Sequence, residues 1–464
     1  MNFSILTVLF DNEILPVNTT TGHTRKAYTI AHKKIVNLFS NPDLRSHWAK
    51  MFADLIIPWL AFKRIDVILQ CIRALPGYVY IYAQQSERFM KQATVLIIGA
   101  SVSGLASAAT LQKAGIDYVI IEKEAQAATP WRNHYERLHL HTPKVISNLP
   151  YKKFSRKIPR YPSRQQVVDY LEDYQIAFSI RPFFNTKALS VQKEGPQWLA
   201  ETNNGTFRST YIVVATGAYA TPKVVDIKGM ETFPGKIIHS YNYRTGRDFK
   251  GQNVLVAGFG NSACEIAIDL YEQGASPFMS VRSPVNMVPR DLLGIPILGI
   301  SQLLSRLPAR FADLINAPVM RLYFGDISKL GLKKLPYGVF EQIENYGTIP
   351  LLDIGTIGHI RKGHIRVLDG IDHIDRSTVH FSDGSEKDID TIIAAIGYQR
   401  NYDRIIKVEE DRFTDLKVNT ARQIYFGKDG LYFCGFWIAP TGQFREISLD
   451  AKRIAKDIAQ KARV

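Results

Sequence analysis

Cysteine is scarce in this chain: 464 residues carry three, Cys71, Cys264 and Cys434, far apart in sequence. Without a Cys-x-x-Cys, a redox-active dithiol is disfavoured and a zinc site is nearly excluded. Such sparse use suits a reducing compartment and gives the expectation of a cytoplasmic protein. Long apolar runs are missing too. The run at 55–62 is broken by Pro58 and followed by Lys63 and Arg64. The uncharged stretch 292–305 is too short to cross a bilayer core of roughly 30 Å. No segment therefore reads as transmembrane, which leaves peripheral membrane contact open. Asp11 and Glu13 interrupt the early apolar stretch, with no basic region before it, which argues against a secretory signal. Basic blocks, zinc-finger spacing and aromatic–basic RNA motifs are also lacking. The formal net charge of +15 thus points away from nucleic acid and toward small phosphorylated molecules or an anionic surface.

Residues 1–92 differ in pattern from the rest of the chain. Apolar residues at helical spacing over 48–69 predict an N-terminal, amphipathic helical extension, and Met90 just before the first strand lets it be an upstream appendage. From 93 onward, short β-branched runs alternate with helical segments, which predicts an α/β fold with parallel sheets. The expected organisation is a first nucleotide-binding unit over 93–217, resuming over 351–464. A second unit, 218–350, is inserted within it. The stretches 218–222 and 336–350, rich in Gly, Pro and Tyr, are the expected hinges.

The first unit opens with a strand pattern at 94–98, the turn Gly99-Ala100-Ser101-Val102-Ser103-Gly104, and a helical 105–114. Gly99 permits the tight bend and Gly104 the close packing of helix on strand. The helix N–H groups can then face a pyrophosphate. Ser101 stands where a middle glycine is usual. A second strand, 118–121, ends at Glu122, an acid placed to accept from ribose hydroxyls. Strand, turn, helix, strand and acid in order single out a dinucleotide site.

The same grammar returns roughly 160 residues later. A strand at 253–257 runs into Gly258-Phe259-Gly260-Asn261-Ser262-Ala263, with a helix after it. Beyond the next strand, 278–281, Arg282 and Ser283 stand where a carboxylate would otherwise meet a ribose. A guanidinium pairs with a 2′-phosphate that a carboxylate repels, so this turn is read as an NADPH site. Arg282 as a solvated surface charge is the alternative.

Between the two turns lies Phe233-Pro234-Gly235-Lys236-Ile237-Ile238-His239-Ser240-Tyr241-Asn242-Tyr243-Arg244. It resembles the Phe-x-Gly-x-x-x-His-x-x-x-(Tyr/Phe)-(Lys/Arg) signature of flavin-containing monooxygenases, through Phe233, Gly235, His239 and Tyr243. Baeyer–Villiger members usually hold Trp where this chain has Tyr243. The segment 135–144, Tyr-Glu-Arg-Leu-His-Leu-His-Thr-Pro-Lys, resembles the plant YUCCA type and its bacterial relatives. So do the Tyr161-Pro162-Ser163-Arg164-Gln165-Gln166 turn and Leu352-Asp353-Ile354-Gly355-Thr356. Animal-type members have a flavin-contacting Asn where this chain places His141. The family's usual Ala-Thr-Gly-Tyr is Ala395-Ile396-Gly397-Tyr398 here, without its Thr.

The resemblance covers roughly 93–460 and implies two Rossmann-like dinucleotide-binding domains, the NADPH domain inserted in the FAD domain. FAD would take the first turn (Gly99, Ser101, Gly104, Glu122). Trp131, Arg132 and His141 would line the flavin, and Ala215, Thr216, Gly217 and Gly435 would pass close to it. NADPH would take Gly258, Gly260, Asn261, Ser262, Ala263, Arg282 and Ser283. The implied partners are O2 and a small organic substrate, oxygenated through a C4a-(hydro)peroxyflavin. An aromatic 2-oxo acid undergoing oxidative decarboxylation is the leading candidate. Baeyer–Villiger or N/S oxidation is the enzymatic alternative, and a non-catalytic scaffold is the other, raised by Ser101 and Ile396. No metal and no general base are assigned; His239 reads equally as flavin-lining or structural. The apolar segment 292–323 is either the roof of a substrate pocket or a packing or oligomer layer. Arg290 at its edge reads as structural before it reads as a carboxylate ligand.

Overall fold

The computed structural model describes residues 90–217, 221–399, 406–407, 426–436 and 441–462. The helices expected over 48–69 lie outside these residues. The first strand, Met90–Ile98, starts before the expected 94. It lies between Tyr118–Ile121 and Gly205–Val214, parallel to both. The far end of Gly205–Val214 pairs in parallel with Leu431–Phe433. Its near end takes the antiparallel hairpin Gln197–Thr202 and Ala188–Glu194. The helix Val102–Lys113 is buried along its whole first part because its small residues, Ser103, Gly104, Ala106, Ala108 and Ala109, let the sheet and the C-terminal helix Gln443–Lys461 close on it. Thr110 Oγ1 donates across to Ala451 O at 3.1 Å. The helix Arg164–Ala177 starts on a capping box: Ser163 Oγ accepts from Gln166 N, and Gln166 Oε1 from Ser163 N.

The second sheet has five parallel strands in the order Arg366–Leu368, Ser276–Ser280, Asn253–Ala257, Thr391–Ala394, Lys236–His239. Chain order reverses between Asn253–Ala257 and Thr391–Ala394, so the second glycine turn sits at a topological switch point, where open α/β sheets bind ligands. This pairing corrects the expected boundary at 350. Two strands beyond it, Arg366–Leu368 and Thr391–Ala394, belong to the second sheet, and the return crossing is at Ala395–Gly397. The Gly/Pro/Tyr-rich stretch 336–350 misled because it holds a helix of its own, Val339–Tyr346. It leads into Leu351–Asp353, which pairs with Met287–Pro289. Its glycines and prolines punctuate an excursion from the sheet.

Ile393 lies at the centre of the second core with Val256 and Met279 and is fully buried. Ile393→Ala should cost about 2–5 kcal/mol of unfolding free energy by chemical denaturation. A loss below about 0.5 kcal/mol, the level of a surface change, would contradict this placement.

Candidate functional site

The two glycine turns are built by the same contacts. Gly99 N donates to Ile121 O at 2.8 Å and Gly258 N to Ser280 O at 3.0 Å, each tying the turn to the neighbouring strand. Ala215 N donates to Ile98 O, and Ala395 N to Ala257 O, both at 2.9 Å. Both glycines have left-handed φ, +105° and +124°. A Cβ on Gly99 would stand 2.8 Å from Ala215 O, and one on Gly258 2.6 Å from Ala395 O. Each fingerprint glycine thus lets a crossover backbone pass directly over it.

The remaining fingerprint positions divide by role. A Cβ on Gly104 would lie 1.8 Å from Gly99 O, so only glycine lets this helix pack. Ala263, its counterpart, is fully buried. Gly260 has φ −92° and open space where a Cβ would stand. Its missing side chain clears the front of the helix N-terminus, which a pyrophosphate needs. Ser101 takes that place in the first turn, and its side chain does not cap the helix. The turns therefore fit two dinucleotides. Glu122 is buried, with its carboxylate accepting from Ala100 N at 2.7 Å and Glu124 N at 3.1 Å. Gly435, with φ +82°, abuts Ser103, whose Oγ would lie 2.2 Å from an added Cβ. It thus brings the late turn onto the first helix.

Arg282 and Ser283 are exposed beyond the strand Ser276–Ser280, on the side of the second turn. Two other fingerprint side chains are used internally: Asn261 Oδ1 accepts from Leu352 N at 2.8 Å, and Ser262 bonds Tyr135.

The signature residues turn out to be fasteners. Phe233 fills the core beside the second sheet. An added Cβ on Gly235 would meet Asp390 O at 2.1 Å. His239 Nδ1 accepts from Tyr241 N at 3.0 Å, so the other ring nitrogen carries the proton and donates to Gly397 O, also at 3.0 Å. Burial lowers its pKa, which keeps this neutral form. Lys223 N donates to the same carbonyl. The two crossing chains then pair as Tyr398–Gln399 with Thr221–Pro222. Tyr243 is buried and donates to Asp269 at 2.6 Å.

A feature that sequence reasoning missed joins the two units. The second fingerprint helix, Asn261–Glu272, carries acids at i, i+4 and i+7: Glu265, Asp269 and Glu272. Glu265 and Asp269 are buried. The segment after Trp131 presents alternate residues to this helix. Tyr135 bonds Ser262, Arg137 grips Glu272 with two bonds of 2.8 and 2.9 Å, and His141 Nε2 bonds Glu265. Arg137 holds the Glu272 carboxyl below the usual carboxylate range. Burial pushes the Tyr135 hydroxyl far above its own. Acids at helical spacing on an otherwise apolar helix were the available signal.

Among the residues expected at the flavin, His141 is thus engaged by the second unit. Arg132 bonds Glu172 and Ala127 O. Trp131 packs edge-on to Phe444 and touches both core clusters. Thr216 Oγ1, on the first crossover, is buried without a protein partner, while Ile396 on the second is part-exposed. Arg290 lies over the Tyr161 ring at 4.2 Å and pairs with Asp291, which supports its structural reading. A groove of about 440 Å³ runs between Pro143–Ile146, Arg160 and Ile295–Gly299. Its cations are engaged, Lys144 by the Ser155 and Arg156 carbonyls and Arg160 by Gly294 O.

A family model described as pyridine nucleotide-disulphide oxidoreductase matches residues 96–290. The described cysteines do not form a dithiol: Cys264 and Cys434 are buried in separate clusters, and burial pushes the Cys264 thiol up. Indole-3-pyruvate monooxygenase YUCCA1 of Oryza sativa subsp. japonica is 36% identical over 78% of this chain and 90% of its own length. YUCCA6 of Arabidopsis thaliana is 37% identical over 78% and 89%. The chain belongs to the YUCCA family of flavin monooxygenases. It is an FAD- and NADPH-dependent enzyme that uses O2 to oxygenate a small organic substrate. Two solved structures share the fold of this YUCCA-family chain. Cyclohexanone monooxygenase matches with a TM-score of 0.64 at 17% identity, covering 81% of this chain and 88% of that one. Flavin-containing monooxygenase from Stenotrophomonas maltophilia matches at 0.59 and 18%, covering 80% and 100%.

Two measurements check this site. Gly104→Ala should lose bound flavin and cost at least about 1–3 kcal/mol of stability, because its clash is with backbone. Gly260→Ala should leave stability within about 0.5 kcal/mol while raising the KM for NADPH. Equal behaviour of the two variants would refute the division of roles. His134, between Trp131 and Tyr135, has its pKa lowered by burial from 6.5 to about 4. The folded form resists protonation, so this contribution to stability is full above pH 6.5 and is lost as the pH falls toward 4. His134→Gln should flatten the stability profile across that window; an unchanged slope would assign the acid sensitivity elsewhere.

Proposed function

We propose that this monooxygenase oxidatively decarboxylates an aromatic 2-oxo acid in the cytoplasm. The observation that carries the reading is the match to indole-3-pyruvate monooxygenases along about nine-tenths of their length. Tyr243 in the slot where Baeyer–Villiger members usually hold Trp supports it, and sparse cysteine supports the compartment. In the balanced reaction, the 2-oxo acid, O2, NADPH and a proton give the acid shortened by one carbon, CO2, NADP⁺ and water.

When bound, FAD supplies the two-electron carrier between NADPH and O2. The chain supplies position and enclosure. The N–H groups at the start of Val102–Lys113, with Ser101 before them, would hold the FAD pyrophosphate, and Glu122 fixes the turn through Ala100 N. Gly258, Gly260 and the first turn of Asn261–Glu272 would hold that of NADPH. Arg282 and Ser283 would meet the 2′-phosphate. Trp131 and Phe444 would exclude water on the first-unit side.

The purified flavoprotein, given NADPH, air and indole-3-pyruvate, should form indole-3-acetate and CO2 in step with NADPH consumed. NADPH oxidation with peroxide and no acid would sink this reading and leave an oxidase. Arg282→Ala should raise the KM for NADPH about 10- to 100-fold, the worth of a charge-assisted bond, and leave that for NADH unchanged. A constant NADPH/NADH ratio would remove Arg282 from the site.

A further inference from the structure

The apolar segment 292–323 leaves the second sheet and is built mainly of two helices, Ile297–Leu304 and Ala309–Phe324. Ala309–Phe324 has two faces. Ala312, Asn316, Met320 and Phe324, four apart, are buried against the body. Phe311, Leu314, Ile315, Pro318 and Leu322 recur at helical spacing roughly opposite that stripe and are all exposed. Leu314 is 72% and Leu322 88% exposed. Leu303, on the shorter helix, and Leu307, between the two helices, are exposed as well. A contiguous apolar face of this kind marks an interaction surface.

The charges decide what it meets. Arg306, Arg310 and Arg321 are exposed beside the apolar stripe. The one acid between 293 and 324, Asp313, is turned inward, where its carboxylate accepts from Phe340 N and Glu341 N. The face is therefore apolar and predominantly cationic, with Asp326, near Arg321, the exposed acid at its edge. In a two-fold pairing of identical copies the same patch meets itself, which would set three arginines against three with only Asp326 of each copy to offset them. An anionic bilayer surface complements both properties: acyl chains receive Leu314 and Leu322, and headgroup phosphates receive the arginines. No described helix is long and apolar enough to cross a membrane, so contact would lie in the surface plane.

We propose that the outer face of Ala309–Phe324 seats this protein on an anionic lipid surface. The groove at Ile295–Gly299 adjoins the start of the same segment. The test uses the full-length flavoprotein with vesicles of phosphatidylcholine alone or with about 30% phosphatidylglycerol. Wild type should sediment with the anionic vesicles and be released by salt. Leu314→Asp/Leu322→Asp should weaken that binding about tenfold or more. Arg310→Gln/Arg321→Gln should lose most of the preference for anionic lipid. Retained flavin and an unchanged circular dichroism spectrum would show both variants folded. Because residues 1–89 are the same in all three proteins, equal binding by wild type and the leucine variant would overturn the proposal. So would no binding by wild type, or a wild-type dimer in sedimentation velocity that the leucine variant converts to monomer.

Discussion

Two carbonyls passing over two glycines set the geometry on which the rest depends. Ala215 O and Ala395 O each occupy the space that a side chain on Gly99 or Gly258 would need. Each crossover also bonds the end of the strand that leads into its glycine. The crossings then continue as an antiparallel pair, Thr221–Pro222 with Tyr398–Gln399. The nucleotide turns are therefore not independent: a shift of either crossover would be felt at both. This gives the monooxygenase signature a mechanical meaning. His239 reaches from the edge strand of the second sheet to the Gly397 carbonyl, and Tyr243 anchors the following turn on Asp269. Both side chains are engaged by the chain's own groups, and together they fix where the second crossing lies.

The second constraint is electrostatic. A fingerprint helix that buries Glu265 and Asp269 must supply each carboxylate with donors, since an unpaired buried charge costs several kcal/mol. Asp269 is satisfied within the second unit by Tyr243 and Gly246 N. Glu265 and Glu272 are satisfied across the junction by His141 and Arg137. Such pairs add little net stability over apolar packing, but they select one docking of the two units. A turn at 136–137, closed by Leu138 N donating to Tyr135 O, and the chain after it let the segment 135–141 serve them, while Leu138 and Leu140 go to the core.

Local chemistry was legible in the sequence, and long-range pairing was not. Both glycine turns, their flanking strands and the signature could be read because their residue types are demanded by close approach and strand–helix order. The position of Thr391–Ala394 could not, because Thr-Ile-Ile-Ala fits either sheet and only the tertiary fold places it between Asn253–Ala257 and Lys236–His239. The same limit explains His141. Its neighbours indicate a family position but not the buried carboxylate 124 residues away that takes its ring nitrogen. Arg132 is similar, its guanidinium committed to Glu172 on a helix the motif does not include. Glu265, Asp269 and Glu272 were a visible pattern, obscured because charged residues on a helix are usually solvated.

The two turns, alike in construction, differ in enclosure. The first helix is buried from Val102 to Leu111, with the Gly435 turn against Ser103 and the C-terminal helix across it. Its middle position, Ser101, is itself partly covered. At the second turn Gly260 is exposed, its Cβ position open, and Arg282 and Ser283 stand in solvent. Among the described residues the first turn is therefore the more covered of the two. That asymmetry suits a retained flavin and a nicotinamide that enters and departs with each turnover. Ser101 in the middle position accords with that difference, since its side chain stands in the more covered turn while the exposed one keeps the bare backbone of Gly260.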